Sequence, residues 1–169
     1  MPNAAHLHLL VNHLPVFAPA LAIPILVLAI LLRKERGLLL AGAFLLVVGA
    51  VGGWAAKSSG DAAMDMLEAD EDKAWGKQFE SARDRVAEHE NRADKAMYPA
   101  IAAAVLAVIV LVFAHTRPAE TPISRGWILL VLAGAVATTC AMGWVGNAGG
   151  GIMHREIRGD ALDEMFSHK

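Results

Sequence analysis

The chain has 169 residues, 56% of them hydrophobic and 19% charged, with a formal net charge of −2. It carries no nucleic-acid signature and no phosphate loop, since GGWAAKSSG lacks Walker spacing. Its single cysteine, Cys140, excludes an intrachain disulfide, and no C-x-x-C-H haem-attachment motif occurs.

The stretch HLHLLVNHLP, His6 to Pro15, sets three histidines and Asn12 where a charge-free run begins. That run, Leu9–Leu32, is followed by three more: Leu38–Ala56, Met97–Ala114 and Trp127–Val145. They hold 24, 19, 18 and 19 residues. A bilayer core of about 30 Å takes roughly 20 apolar residues as helix. A soluble amphipathic helix would carry charge on one face, and these runs carry none. The pattern predicts an all-α integral membrane four-helix bundle, one domain over 1–169, with spans near 9–32, 38–56, 97–114 and 127–145. The first run reads as a span and not as a cleaved signal peptide: no Lys or Arg precedes it, and RKER follows. Pro15, Pro19 and Pro24 should bend it, their freed carbonyls being met by packed neighbours.

The second span has a GxxxG step at Gly49 and Gly53, and the fourth has Gly134 and Thr138 four apart. Small residues at such spacing let membrane helices approach closely. Between the second and third spans, Lys57–Ala96 predicts a helical periplasmic extension. SSGD can start a helix there, with Ser59 or Asp61 as cap. From Trp75 the residues Phe79, Ala82, Val86, His89, Ala93, Ala96 and Ala100 follow in steps of 4, 3, 4, 3, 4, 3 and 4. That is a helical seam running into the third span, with Gly76 as a place where it can break and Pro99 as a kink at the junction. Glu88, Glu90 and Arg92 fall on the water side, while His89 occupies the seam, where a buried unpaired polar group would cost about 1–3 kcal/mol.

Two short loops carry excess positive charge: RKERG, with Arg33, Lys34 and Arg36, and HTRPAETPISRG, with Arg117 and Arg125. Short basic loops stay cytoplasmic. Both termini and the Lys57–Ala96 segment, with seven Lys/Arg against eleven Asp/Glu, then lie outside. The expected location is the bacterial inner membrane, multi-pass, with both termini periplasmic. Trp54, Tyr98 and Trp144 fall at the outer boundary and Trp127 at the inner one, as interfacial belts prefer. His6, His8, His13, His89, His154 and His168 fall outside, and only His115 inside.

At 1.5 Å per residue, His89 lies roughly 12 Å above the third span and His154 about 13 Å beyond the fourth, unless Gly149–Gly151 bends that path. His6 and His13 are seven apart and share a face, about 10 Å apart along the axis. Imidazoles from the first, third and fourth helices thus converge on the outer end of one bundle.

The opening HLLVNHLP, His8 to Pro15, resembles that of a bacterial family of four-span membrane proteins of unknown function, roughly His-Pro-x-x-x-His-Phe-Pro. The histidine spacing and the following Pro match; Leu9 stands for the usual Pro and Leu14 for the usual Phe. The family's Gly-rich end to the second span is matched by GAVGGW, its His before the third span by His89, and its Gly-rich stretch leading to a His by GGGIMHREIR with His154. Some relatives are fused to Rieske iron–sulfur domains. The resemblance therefore implies electron transfer at the outer membrane face, though it implies no particular reaction.

The chemistry expected of these residues is a non-covalent b-type haem held between helices, with axial imidazoles drawn from His8, His13, His89 and His154. Asn12 would orient a ligand ring, and Arg155, with Arg158, would pair with propionates. Gly146 and Gly149–Gly151 would let a flat macrocycle lie against backbone. The alternative cofactor is copper: His6-x-His8 is a compact chelating pair, joined by His13, His89 and His154, and Met64, Met66 and Met153 offer soft thioethers. The same methionines also suit the apolar face of an amphipathic helix. A third reading is a non-redox sensor or scaffold with interfacial histidines. No Ser-His-Asp or HExxH arrangement supports an enzyme, and no carboxylate lies inside a span to support a transporter. The partners expected are the lipid bilayer and a periplasmic electron carrier or quinone, with a homo-oligomer or a larger complex left open.

Overall fold

The computed structural model describes residues 4–32, 36–68, 74–118, 121 and 123–153. Among these, every regular element is helical: α1 (Ala4–Val11), α2 (Leu14–Leu32), α3 (Arg36–Glu68), α4 (Ala74–His115) and α5 (Arg125–Met153). Four stretches are long and apolar enough to cross a membrane. The chain is a multi-pass membrane protein built on a four-helix bundle. At 1.5 Å per residue, the 33 residues of α3 and 42 of α4 reach about 50 and 63 Å. Both outrun a bilayer core of about 30 Å.

The bundle closes in the cyclic order α2, α3, α4, α5, while α3 and α5 barely touch across the diagonal and α1 leans on α3. Each column turns one stripe inward with alternating steps of three and four. On α2 the stripe is Pro15, Pro19, Ala22, Leu26 and Ala29; on α5 it is Ile128, Val131, Ala135, Thr138 and Met142. On α4 it is Ala96, Ala100, Ala103, Ala107, Val110 and Ala114, all buried. A 3.5-residue repeat is the packing period of left-handed helix bundles. Alanine dominates the stripes because lipid offers no hydrophobic drive between helices, so stability comes from close backbone approach. The main core joins Leu26, Leu39, Val110 and Val131; a smaller one, Ala96, Ala100 and Met142, lies nearer the histidine end.

Glycines set the closest approaches. Gly49 receives the Pro19 ring, whose Cδ would stand 2.9 Å from an added methyl, and Gly134 receives Ala103 at 3.1 Å. Thr138, buried between α4 and α5, donates its hydroxyl to the Pro99 carbonyl at 3.4 Å. That bond is long, and interhelical hydrogen bonds in membranes average about 0.6 kcal/mol. Thr138→Val, which keeps the shape, is expected to cost no more than about 1 kcal/mol, read as the denaturant midpoint of the protein in detergent.

The structure revises two expectations. The first apolar run is two helices, parted at Asn12–His13. A proline cannot bond the carbonyl four residues before it, and its ring clashes with it; for Pro15 that carbonyl belongs to Val11, the last residue of α1. The His13 carbonyl restarts the ladder by accepting from the amides of Val16 and Phe17. Secondly, SSGD starts nothing: α3 runs unbroken from Arg36 through Ser59 to Glu68. The Ser59 hydroxyl turns back onto the carbonyls of Ala55 (2.8 Å) and Ala56 (3.0 Å), the mid-helix alternative to capping. Helix α4 also continues across Pro99. Its seam is borne out over the described side chains, Val86, His89 and Ala93 being half-buried and Ala96 and Ala100 buried.

At the opposite end from the histidines, Arg36 donates to the carbonyls of Pro118 (2.7 Å) and Arg117 (3.1 Å), tying the α4–α5 loop to the start of α3. Arg117 lies 4.0 Å over the Phe113 ring.

Candidate functional site

The inward stripes do not stop where the core stops. On α2 the stepping runs back across the break through Asn12 to His8. On α3 it runs on through Gly53 and Ala56 to Gly60, on α4 back through Ala93 to His89, and on α5 forward through Val145 to Gly149. At this level burial falls from complete to partial, and a cavity of about 490 Å³ opens, lined by residues of all five helices. The floor is apolar, with Val16, Met97 and Met142. At the mouth stand Asp61, Glu90 and Lys57, the last held 3.0 Å from Asp94 across α3 and α4.

Two imidazoles enter this cavity in the same manner. His8 Nδ1 lies 2.8 Å from the Ala56 carbonyl and His89 Nδ1 lies 3.1 Å from the Val145 carbonyl. A carbonyl only accepts, so in both rings Nδ1 carries the proton and donates it. In the neutral ring Nε2 then keeps a bare lone pair. Each accepting carbonyl lies within its own helix, and that of Ala56 is shared with the Ser59 hydroxyl at 3.0 Å. In both cases the residue four on is a glycine against which the ring lies: a methyl on Gly60 would stand 3.2 Å from His8 Nδ1, and one on Gly149 would stand 3.0 Å from His89 Cε1. His89 sits among the charged residues Arg85–Lys95, outside the charge-free spanning stretch 97–114. Burial holds its pKa below the ordinary 6.5, with a smaller push in the same direction from His8 and Arg92, against the Val145 bond, which raises it. The net effect favours the neutral, ligating form.

Asn12 occupies the seam between His8 and Pro15 and lines the cavity. Its Oδ1 is buried with no hydrogen-bond partner among the described residues. Such an atom costs about 1–3 kcal/mol when nothing answers it.

Of the expected site residues, His8, Asn12, His13 and His89 are brought to one cavity. His13 is exposed at its edge and stacks on Phe17, with ring centroids 6.0 Å apart. His6 is exposed and not among the cavity's lining. The face expected to be common to His6 and His13 is interrupted by the break at Asn12–His13, and of the two only His13 lines the cavity. His154 and Arg155, with Arg158, His168 and the candidate copper thioethers Met66 and Met153, have side chains outside the described residues. Gly149 does not leave space for a macrocycle, because its own helix neighbour's imidazole, His89, already lies on it; Gly146 faces open space. Arg92, expected in water, is half-buried: it pairs with Glu88, donates to the Trp144 carbonyl at 3.3 Å and lies 4.9 Å over the Trp144 ring. Met97 and Met142 were not anticipated in the site, nor were the backbone carbonyls of Ala56 and Val145; following the three–four stepping to the outer ends of the second and fourth spans points to Met142, Ala56 and Val145.

Among the described residues no group of three His, Cys, Asp or Glu side chains is placed to hold a metal ion. A bare ion that needs four protein donors, as structural zinc does, is not served by this set. A centre that brings most of its own ligands and asks the protein for one or two imidazoles is served. No family model matches the chain, and no curated protein or solved structure matches it either.

Proposed function

We propose that this chain holds a b-type haem in the cavity at the histidine end and carries electrons at the periplasmic face of a bacterial inner membrane, as an accessory of a respiratory or redox complex and not as a stand-alone catalyst. The observation that carries the reading is His89: a half-buried imidazole whose neutral form burial favours, oriented by the Val145 carbonyl, with no hydrogen bond to Nε2 among the described residues, in a cavity with an apolar floor. Metal-binding histidines are commonly oriented in this way through the other ring nitrogen. Haem supplies four nitrogens of its own and reversible one-electron storage. His89 would bind it, Val145 would hold the ring in register, and Val16, Met97 and Met142 would exclude water beneath it. Asn12 and Lys57, which line the same cavity as Asp61 and Glu90, would face the haem's acidic edge. Orientation follows the charge: Arg36, Arg117 and Arg125 gather at the end away from the histidines, and short basic loops stay cytoplasmic. The donor class expected is a membrane quinol and the acceptor a periplasmic carrier.

Copper is the second reading, favoured by the thioethers of Met64, Met97 and Met142, which line the same cavity as the two imidazoles and suit Cu(I).

The test is a dithionite-reduced minus oxidised spectrum of the purified protein. Sharp b-type bands are expected, lost in His89→Ala and kept in His115→Ala, whose histidine is exposed at the other end. A flat difference spectrum with stoichiometric copper selects the second reading. Neither signal would leave a sensor or scaffold.

A further inference from the structure

Each half of the chain seats an imidazole in the same way. In each half a helix coming from the histidine end carries the imidazole, and the helix returning to that end carries the carbonyl and glycine that seat it. Val145 and Gly149 follow Ala56 and Gly60 by 89 residues each, and the carbonyl-to-glycine step is four in both. A Gly-Trp pair precedes each seat, Gly53-Trp54 and Gly143-Trp144, 90 residues apart. Both Trp side chains are exposed on the bundle's rim, at 66% and 44%. His8 and His89 themselves are 81 apart.

The cyclic order places the two halves side by side. The columns α2 and α4 stand on one diagonal and α3 and α5 on the other. His8 continues the α2 stripe and His89 belongs to α4. The imidazoles therefore come from one diagonal and their glycine seats from the other. Both rings are fixed in the same tautomer by the same device, and both line one cavity. An isolated structural histidine needs a hydrogen-bond partner. It does not need a second histidine, presented in the same tautomer to the same cavity.

We infer that His8 and His89 are paired ligands of one metal centre seated between them, each half of the chain contributing one imidazole through Nε2. The identity of the centre rests on the haem reading above, in which it is the iron. The pairing itself is a claim about the protein's donors. It holds equally for Cu(I), which two imidazoles can ligate. The unpartnered Asn12 Oδ1, one turn from His8 on the same stripe, is a second sign that this wall of the cavity is built toward something bound.

The experiment is a haemin titration of the full-length apo-protein in detergent, followed by electron paramagnetic resonance. One equivalent per chain and a low-spin, two-imidazole signal are expected. His8→Ala and His89→Ala should each convert it to high-spin five-coordinate haem or abolish binding, and added imidazole should restore the low-spin signal in any variant that still binds. His8→Met and His89→Met, which keep a ligand, guard against misfolding; each should bind haem with a shifted spectrum. Two equivalents per chain, or a His8→Ala protein that keeps the wild-type signal, would overturn the pairing while leaving the haem reading standing. If haemin does not bind at all, the haem reading fails and the pairing is decided by Cu(I) alone. One Cu(I) per chain with two nitrogen ligands by X-ray absorption, lost in either alanine variant, supports it; no binding, or binding indifferent to His8, overturns it.

Discussion

Gly149→Ala is expected to weaken haem binding by about 10- to 100-fold, the range typical when a ligand's supporting partner is disturbed, without loosening the bundle. The added methyl would stand 3.0 Å from Cε1 and 3.2 Å from Nδ1 of His89. Those contacts are too close to keep, and the ring cannot simply slide away because Nδ1 is tied to the Val145 carbonyl at 3.1 Å. Tilting the ring to relieve the clash lengthens that bond and turns Nε2 off its line. Intrinsic helix propensity works in the other direction, since alanine is favoured over glycine by about 1 kcal/mol in a helix interior. The apo-protein's melting temperature should therefore stay level or rise while affinity falls. Opposite signs separate a damaged site from a damaged fold. Gly146→Ala is the control: it is also in α5 and lines the same cavity, and a methyl there meets nothing within 4 Å. Haemin affinities that fall equally in both variants, or in neither, would mean that the imidazole is not seated on Gly149.

Much of the architecture could be read from residues alone, because lipid imposes a strong rule. A spanning segment must satisfy its own backbone and shed its charge, so four charge-free windows announce four helices. The α4 seam was legible for the same reason: Val86, His89, Ala93, Ala96 and Ala100 keep one stepping from the charged extension into the span, and no proline or glycine in that stretch has the means to break it except Pro99. A proline tolerated inside a membrane helix and one that parts two helices look alike in sequence. Pro19, Pro24 and Pro99 are of the first kind and Pro15 of the second. The ambiguity at Ser59 is similar. A serine hydroxyl can accept from a free amide at a helix start or donate to a carbonyl one turn back, and only the continuing α3 stripe through Ala56 and Gly60 decides between them.

The site was partly legible. His8, Asn12, His13 and His89 could be placed at one end by counting residues per turn, but such a count says nothing about which face looks inward. The break at Asn12–His13 parts His6 from His13: His6 is exposed and outside the cavity, while His13 lines its edge. Running the stripe backward from Ala29 through Leu26, Ala22, Pro19 and Pro15 selects Asn12 and His8 instead, and that anchor comes from packing against α3 and α5. Glycine was the hardest residue to read. Gly49 and Gly53 announced close helix approach, yet Gly60 and Gly149 serve a side chain, and nothing in composition distinguishes a glycine that admits a helix from one that admits an imidazole.

Gly52→Ala tests how the fold and the site are coupled, and it is expected to lower bundle stability by about 1–3 kcal/mol, the usual cost of overpacking a close contact. A methyl on Gly52 would lie 2.6 Å from the Leu14 Cβ. Unlike the end of a long side chain, a Cβ cannot rotate aside, so the start of α2 must move away from α3. Gly42→Ala also meets atoms at 2.6 Å, but there they are the Cγ and Cδ2 of Leu26, which can be pushed within the core at a similar cost. The two variants differ in reach. Leu14 follows directly on His13, whose carbonyl restarts the helix, and α1 with His8 hangs from that corner. Displacing it should stretch the 2.8 Å bond between His8 and Ala56, so Gly52→Ala should lose stability and haem affinity together, whereas Gly42→Ala should lose stability alone. Gly37→Ala, with open space around it, is the neutral reference. Denaturant midpoints in detergent and haemin titrations on the three variants check this. Equal affinities in the Gly52 and Gly42 variants would show that α1 does not depend on the α2 corner for its position, and that His8 is held by its contacts to α3 alone.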